Sequence, residues 1–138
     1  QIPYKNMVRN MFHMPDQTSF DMLYDNLKNQ ETISFWSTSF LRGTTLDDAI
    51  VIVDECQNLN FHELDSIITR VGQDSKIVFC GDVNQSDLVK TNERNGILDF
   101  QRILQNMDEF SEVEFGVSDI VRSGLVKSYL ISKMSLGL

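Results

Sequence analysis

The amino-acid sequence predicts an α/β fold in which a parallel sheet carries helices on both faces. Two short segments, 49–53 and 76–80, are apolar without the alternation of a half-exposed strand, a pattern typical of buried parallel strands. Between them, apolar residues recur at helical spacing from Phe61 to Val71. Strands joined by a helical crossover lie parallel in one sheet.

Two further strands are expected in addition to this pair. Residues 32–36 are β-branched and aromatic, and we interpret residues 112–115 as a fourth, short strand. In open α/β sheets the functional residues collect at the carboxyl ends of the strands. The polar residues that follow 49–53 and 76–80 are therefore the first candidates for a site.

Helices are predicted from capping signals and helical spacing, with starts at Thr18, Asn60, Gly96 and Ser123. Two of these starts, T-x-x-D and N-x-x-E, resemble a capping box, in which two side chains satisfy backbone N–H groups at the helix start. Residues 1–17 contain both prolines and no clear period, so no element is predicted there.

Composition limits the class of protein. A chain of 138 residues with 41% apolar and 23% charged residues is typical of one globular domain. The net charge of −8 argues against a surface that binds nucleic acid throughout, because phosphates would be repelled. No apolar run approaches the ~20 residues of a membrane helix, and no signal peptide pattern opens the sequence. We therefore expect no membrane partner.

The cysteines and histidines do not predict a metal site. Cys56 and Cys80 match neither a disulfide framework nor a zinc signature, which indicates a reducing, cytoplasmic environment. His13 and His62 lack carboxylate or thiolate neighbours at ligand spacing.

The first candidate motif ends a predicted strand in two carboxylates, Asp54 and Glu55. Since side chains alternate along a strand, the two would project differently and can take different roles. One can hold a magnesium ion through water, and the other can orient and deprotonate an attacking water. The alternative is a strand that ends in two acids by chance.

The second candidate motif ends the strand 76–80 in Gly81 and Asp82, with Gln85 close behind. Glycine allows a tight turn and a close approach of the backbone to a ligand. The Gln85 amide can contact a terminal phosphate and an attacking water together, because it has both a donor and an acceptor. A polar loop rich in turn-forming residues is the alternative.

The third candidate is Arg122, which follows the fourth predicted strand just before the last helix. A guanidinium group binds phosphoryl oxygens with two hydrogen bonds, so Arg122 can clamp a phosphate. A surface salt bridge, for example to Asp119, is the alternative for a lone arginine.

These segments, V-I-V-D-E-C-Q-N, G-D-V-N-Q-S-D and D-I-V-R-S-G-L-V, resemble motifs of the PhoH-like family of P-loop ATPases. The stretch 42–49, R-G-T-T-L-D-D-A, is similar to the pattern that precedes the family's Walker B motif. The resemblance covers residues 40–130 and extends in part to superfamily 1 helicases. Cys56 and Ser123 depart from the family, which usually has alanine and histidine there.

The resemblance implies a RecA-like P-loop NTPase core that binds ATP and Mg²⁺. Asp54 would bind the metal ion, and Glu55 would polarise the attacking water. Gln57 and Gln85 would sense the terminal phosphate, and Gly81 and Asp82 would lie beside the nucleotide. Arg122 would stabilise the negative charge that develops on the terminal phosphate during hydrolysis. Kinship with helicases implies RNA or DNA as a partner, and in a homo-oligomer the arginine could reach a neighbouring subunit.

One family motif is absent from the sequence. The Walker A loop, G-x-x-x-x-G-K-[ST], holds the phosphates, yet none of the seven glycines is followed by Lys-Ser or Lys-Thr. Residues 1–138 are therefore expected to be the C-terminal portion of a single PhoH-like domain without the Walker A strand, and to be inactive alone. In the family that strand lies between those matching 76–80 and 112–115. We therefore expect the order 32–36, 49–53, 76–80, with 112–115 poorly paired.

Two other functions fit parts of the sequence. A non-enzymatic interaction module could keep the scaffold without the activity, although the retained carboxylates and Arg122 speak against decay of the site. A metal-dependent nuclease could gather Asp54, Glu55, Asp82 and Asp87 at one edge, but no histidine or lysine partner is evident.

Overall fold

The computed structural model describes residues 2–13, 16–38, 43–82 and 91–137. The chain divides into two compact units, Gln1–Phe100 and Gln101–Leu138. Its elements are α1 (Ile2–Phe12), α2 (Gln17–Asn29), β1 (Ile50–Val53), α3 (Phe61–Ile68), β2 (Lys76–Phe79), α4 (Thr91–Leu104) and α5 (Gly124–Ser135), with short 3₁₀ helices at Cys56–Asn58 and Val117–Asp119.

Two parallel strands form the sheet of the described residues, which confirms the predicted α/β class. Ile50 pairs with Lys76 at one end and Val53 with Phe79 at the other. Side chains alternate between the faces, so Val53 is buried on one face. The opposite face carries the exposed apolar side chains of Ile50, Ile52 and Val78.

The buried face of the sheet contacts α4, and α4 in turn lies close to α3. The buried apolar residues of these helices within the first unit are Leu64, Ile67, Ile97 and Phe100. The Phe100 ring meets the Phe79 ring of β2 edge-on, with centroids 5.0 Å apart. Gly96 lets α4 approach α3, because a Cβ there would lie 3.0 Å from the Phe61 backbone nitrogen.

Helices α1 and α2 form a second cluster within the first unit. Val8, Phe20 and Tyr24 are buried together. The Lys5 ammonium pairs with the Asp21 carboxylate at 2.6 Å and lies 5.3 Å from the centre of the Tyr24 ring. Helix α1 was not predicted because Val8 alone, among its described side chains, is buried, which gives no helical period.

The two predicted capping boxes have different outcomes. Asn60 and Glu63 form the predicted reciprocal pair, with the Asn60 side chain accepting from the Glu63 N–H at 3.0 Å and the Glu63 carboxylate accepting from the Asn60 N–H at 2.9 Å. The box at Thr18 is wrong, because Asp16 caps α2 instead and accepts the Ser19 N–H at 2.8 Å. The cap lies two residues earlier, so Thr18 falls inside the first turn.

Two helix ranges also differ from the predicted ones. Helix α3 ends at Ile68, before the predicted Val71, because Val71 instead pairs with Leu46 in a parallel bridge. Helix α4 begins at Thr91 rather than Gly96. Ser123 does take the N-cap position of α5, but among the described residues its side chain makes no capping hydrogen bond.

Two of the predicted strands are wrong. The described residues 34–37 have no regular secondary structure, and the Ile33 N–H donates to the Leu27 carbonyl at 3.2 Å, which folds the chain back onto α2. Residues 112–115 form no strand, and the Glu112 carboxylate accepts from Gln101 at 2.6 Å and from Gln105 at 3.1 Å. A β-branched segment becomes a strand only where a ladder partner is available.

Candidate functional site

Asp54 and Glu55 leave the sheet directly at the carboxyl end of β1, as predicted. Glu55 has a left-handed backbone conformation, with φ 54° and ψ 38°, so the chain turns out of the strand at this residue. The 3₁₀ helix Cys56–Asn58 follows at once. Both carboxylates are exposed, which leaves them accessible to a ligand.

The ends of β1 and β2 are joined by backbone hydrogen bonds beyond the strands themselves. The Cys80 N–H donates to the Val53 carbonyl at 2.8 Å, and the Cys56 N–H donates to the Cys80 carbonyl at 2.9 Å. These bonds continue the ladder past the last paired residues. The D-E-C-Q and G-D segments, which are 27 residues apart from Asp54 to Gly81, therefore lie side by side.

Gln57 connects the two segments through its side chain. It is buried, with 5% of its surface exposed. Its amide nitrogen donates to Glu55 Oε2 at 2.7 Å, and its amide oxygen accepts the Asp82 N–H at 3.4 Å. Asn58 also donates to Glu55 Oε2, at 3.4 Å. Gln57 was predicted as a phosphate sensor. In the structure its amide nitrogen holds the Glu55 carboxylate in one orientation.

Gly81 is required here for space. A Cβ at this position would lie 2.5 Å from Gln57 Oε1 and 2.7 Å from Cys56 Sγ. Its φ is not in the positive range, so crowding rather than backbone strain excludes a side chain. The close approach predicted at this glycine was to a ligand, whereas the atoms nearest to it in the structure belong to Gln57 and Cys56 of the neighbouring segment.

Asp54 has a partner that the sequence did not indicate. The Tyr4 hydroxyl of α1 donates a hydrogen bond to Asp54 Oδ2, while Asp54 Oδ1 accepts the Glu55 N–H at 3.0 Å. The hydrogen bond to Asp54 raises the pKa of Tyr4, and burial raises it further. Tyr4 therefore remains a protonated donor at neutral pH. No sequence signal connects residues 50 positions apart in this way.

The T-T-L-D-D stretch before β1 serves a structural purpose. Leu46 donates to the Arg70 carbonyl and accepts from the Gly72 N–H, both at 2.8 Å. The Asp47 carboxylate accepts the Gln73 N–H, also at 2.8 Å, and fills the place that a Cβ on Gly72 would need. This stretch fixes the connection that leads into β2. Arg42 lies outside the described residues.

The two cysteines at the site are free thiols. Burial raises the pKa of Cys56, with a smaller contribution from Cys80, so the Cys56 thiol stays neutral. Among the described residues there is no group of three or more His, Cys, Asp or Glu side chains that could hold a metal.

Three further candidates are Gln85, Asp87 and Arg122. Gln85 and Asp87 are outside the described residues. Arg122 belongs to the second unit, where it is exposed between the 3₁₀ helix Val117–Asp119 and α5. Asp119, suggested above as its ion-pair partner, accepts the Gly116 N–H at 2.7 Å. Within the described parts of the chain no ion pair of Arg122 is found.

None of the helices that the structure describes has the length and apolar character needed to cross a membrane.

Several curated proteins are similar in sequence to this chain. The chain is similar to a PhoH-like protein of Bacillus subtilis, 36% identical over 115 residues, which is 78% of this chain and 36% of that protein. A PhoH-like protein of Mycobacterium leprae is 35% identical over 115 residues, covering 78% and 33%. Protein PhoH of Escherichia coli is 32% identical over 92 residues, covering 67% and 26%.

The chain thus spans about a third of the length of the curated relatives it matches. The family model described as PhoH-like protein matches residues 4–132, which include Tyr4, both strand-end segments and Arg122. A match over nearly the whole chain, together with the strand-end geometry, leads to one conclusion: the chain belongs to the PhoH-like protein family.

Proposed function

We propose that this chain forms the metal- and water-binding part of an ATP-hydrolysing site in a PhoH-like P-loop ATPase. The main observation behind the proposal is the position of the exposed Asp54 and Glu55 carboxylates. They lie beside Gly81 and Asp82, where the carboxyl ends of β1 and β2 meet. Family membership supports it, because the matched region contains all of these residues.

Glu55 is the residue that would act on the attacking water. Its Oε2 accepts hydrogen bonds from Gln57 and Asn58, which fix the carboxylate plane. Its Oε1 would then accept a hydrogen bond from the water molecule and so orient the water oxygen for attack. The buried Gln57 would contribute by holding Glu55 in this orientation and by linking it to the Asp82 backbone.

Asp54 is the residue that would receive Mg²⁺, either directly or through a coordinated water. The residues fit this ion, since Mg²⁺ in nucleotide sites uses one or two carboxylates and takes its other ligands from phosphates and water. When bound, the ion would neutralise charge on the transferring phosphate. The two hydrogen bonds to Asp54 leave each of its oxygens with a second lone pair for this purpose.

Two further residues complete the proposal on the basis of the resemblance. Gln85 would sense the terminal phosphate, and Arg122 would stabilise the charge that develops on it. The amides and lysine of a Walker A loop would have to come from outside these 138 residues, because no such motif occurs in them. Activity, substrate and partners of the complete protein are thus part of the proposal.

The test is ATP hydrolysis by the native full-length protein that contains this segment. We expect Glu55→Gln to lower turnover by about 10²–10⁴-fold, the usual contribution of a general base, while the protein still binds ATP. Glu114→Gln is the matched control, because Glu114 is an exposed carboxylate of the second unit that receives the same chemical change. It should hydrolyse ATP at the normal rate.

Full activity in Glu55→Gln would remove Glu55 from the mechanism. A native protein that neither binds nor hydrolyses ATP with Mg²⁺ would overturn the proposal. It would favour an interaction module built on the same scaffold.

A further inference from the structure

Tyr4 has no assigned role in the proposed mechanism, yet it contacts the proposed metal ligand. It lies in the first turn of α1, and its hydroxyl donates to Oδ2 of Asp54. This bond joins the helical pair α1–α2 to the carboxyl end of β1. The contact is made by a polar group at the site itself, so it does more than pack two elements together.

The hydrogen bond restricts the orientation of the Asp54 carboxylate. Oδ2 accepts from Tyr4 and Oδ1 accepts from the Glu55 N–H at 3.0 Å. Rotation about the Cβ–Cγ bond would break at least one of these bonds. A carboxylate held at both oxygens presents its remaining lone pairs in a defined direction.

Tyr4 is itself held in place by its surroundings. Its ring lies against Phe35, with centroids 5.7 Å apart and planes inclined by 51°. Its helix is attached to α2 through the buried Val8 and through the ion pair of Lys5 with Asp21 at 2.6 Å. The hydroxyl therefore reaches Asp54 from a supported position, as a partner of a metal ligand must.

We propose that Tyr4 is a positioning residue for Asp54, and that its hydroxyl holds the carboxylate in the orientation that receives the magnesium ion of MgATP. This inference rests on the proposed function. Hydrogen-bond partners of metal ligands fix ligand orientation, and their loss typically weakens metal binding by about 10–100-fold. Tyr4 would act only through Asp54 and would touch neither the nucleotide nor the attacking water.

The experiment compares ATP binding with and without Mg²⁺ in the native full-length protein, measured by calorimetry. In the wild type, Mg²⁺ should tighten ATP binding. In Tyr4→Phe we expect this gain to fall on the order of tenfold, while ATP affinity without Mg²⁺ stays unchanged. The phenylalanine keeps the ring packed on Phe35. Tyr129→Phe, the same change at an exposed tyrosine of α5, should match the wild type.

Asp54→Asn supplies the second comparison. If Tyr4 acts through Asp54, adding Tyr4→Phe to Asp54→Asn should change the Mg²⁺ gain no further, because the shared interaction is already lost. A further loss in the double variant would overturn the inference.

The outcomes separate this inference from the proposed function. An unchanged Mg²⁺ gain in Tyr4→Phe, or an equal loss of affinity with and without Mg²⁺, overturns the positioning role alone. The absence of any Mg²⁺ gain in the wild type overturns the proposed function, and the positioning role with it.

Discussion

The amide oxygen of Gln57 lies 2.5 Å from the position that a Cβ on Gly81 would occupy. The same oxygen accepts the Asp82 N–H, and the amide nitrogen of Gln57 donates to Glu55. Because Gly81 has no side chain, the buried Gln57 amide has room beside the end of β2. This relationship connects the two acidic segments through a side chain, in addition to the backbone hydrogen bond from Cys56 to Cys80.

Gly81→Ala should destabilise the protein and disturb the site. The new methyl group would displace the Gln57 amide and press on Cys56 Sγ, at a cost of about 1–3 kcal/mol, the usual range for overpacking. Thermal or denaturant unfolding measures this loss. Gly124→Ala is the matched control, since a Cβ there meets nothing within 4 Å. Equal stability of the two variants would refute the steric argument.

Gln57→Leu should also destabilise the protein, for a different reason. The leucine keeps a similar volume but leaves the Asp82 N–H and one Glu55 oxygen without this partner. Loss of a buried hydrogen-bond partner costs about 1–3 kcal/mol. Gln105→Leu is the comparison, because Gln105 is exposed and its side-chain amide donates to the exposed Glu112 carboxylate. If urea unfolding shows the two variants to be equally stable, the connecting role of Gln57 is wrong.

Acid should weaken the attachment of α1 to α2. The Lys5 ammonium holds the pKa of Asp21 below its ordinary value of 3.8. The ion pair therefore contributes fully above pH 3.8 and loses its contribution as the pH falls through the lower pKa of the folded state. Because both groups are solvent-accessible, the contribution is small. The difference in Tm between wild type and Asp21→Asn should shrink below pH 3.8, and a constant difference down to pH 2 would contradict this.

The 138-residue chain by itself should bind ATP weakly, even with Mg²⁺. It contains no G-x-x-x-x-G-K-[ST] motif, whose amides and lysine supply most phosphate contacts in P-loop proteins. Calorimetry with the isolated chain measures the affinity. Micromolar binding would mean that these residues build a nucleotide site of another kind.

Arg122→Ala, in the native full-length protein, should lower turnover more than ATP binding, because a charge stabilised only in the transition state affects the rate. Mixing Arg122→Ala subunits with Glu55→Gln subunits tests whether the arginine serves a neighbouring chain. Restored activity would indicate a shared site, where an arginine contributes about 10³–10⁵-fold in rate. A normal rate in Arg122→Ala would exclude the catalytic role.

Local sequence patterns were enough to predict β1, β2 and the start of α3, which surround the site. The apolar runs before Asp54 and Gly81 predicted β1 and β2 to within one residue, because buried parallel strands lack alternation. The N-x-x-E pattern at Asn60 predicted the start of α3, because a capping box uses only neighbouring residues. The family followed from the same short segments.

The contacts that define the site's geometry depend on residues far apart in the chain. Residues 32–36 have strand-like composition but no strand, because their neighbours offer no ladder and Ile33 packs back on α2. Tyr4 reaches Asp54 across 50 positions, and Gln57 reaches Asp82 across 25. Sequence alone determined β1, β2, the start of α3 and the point where the carboxylates leave the sheet, since those features depend on local spacing. Tertiary structure decided which donors meet those carboxylates, since a hydrogen bond depends on distances that only the folded chain sets.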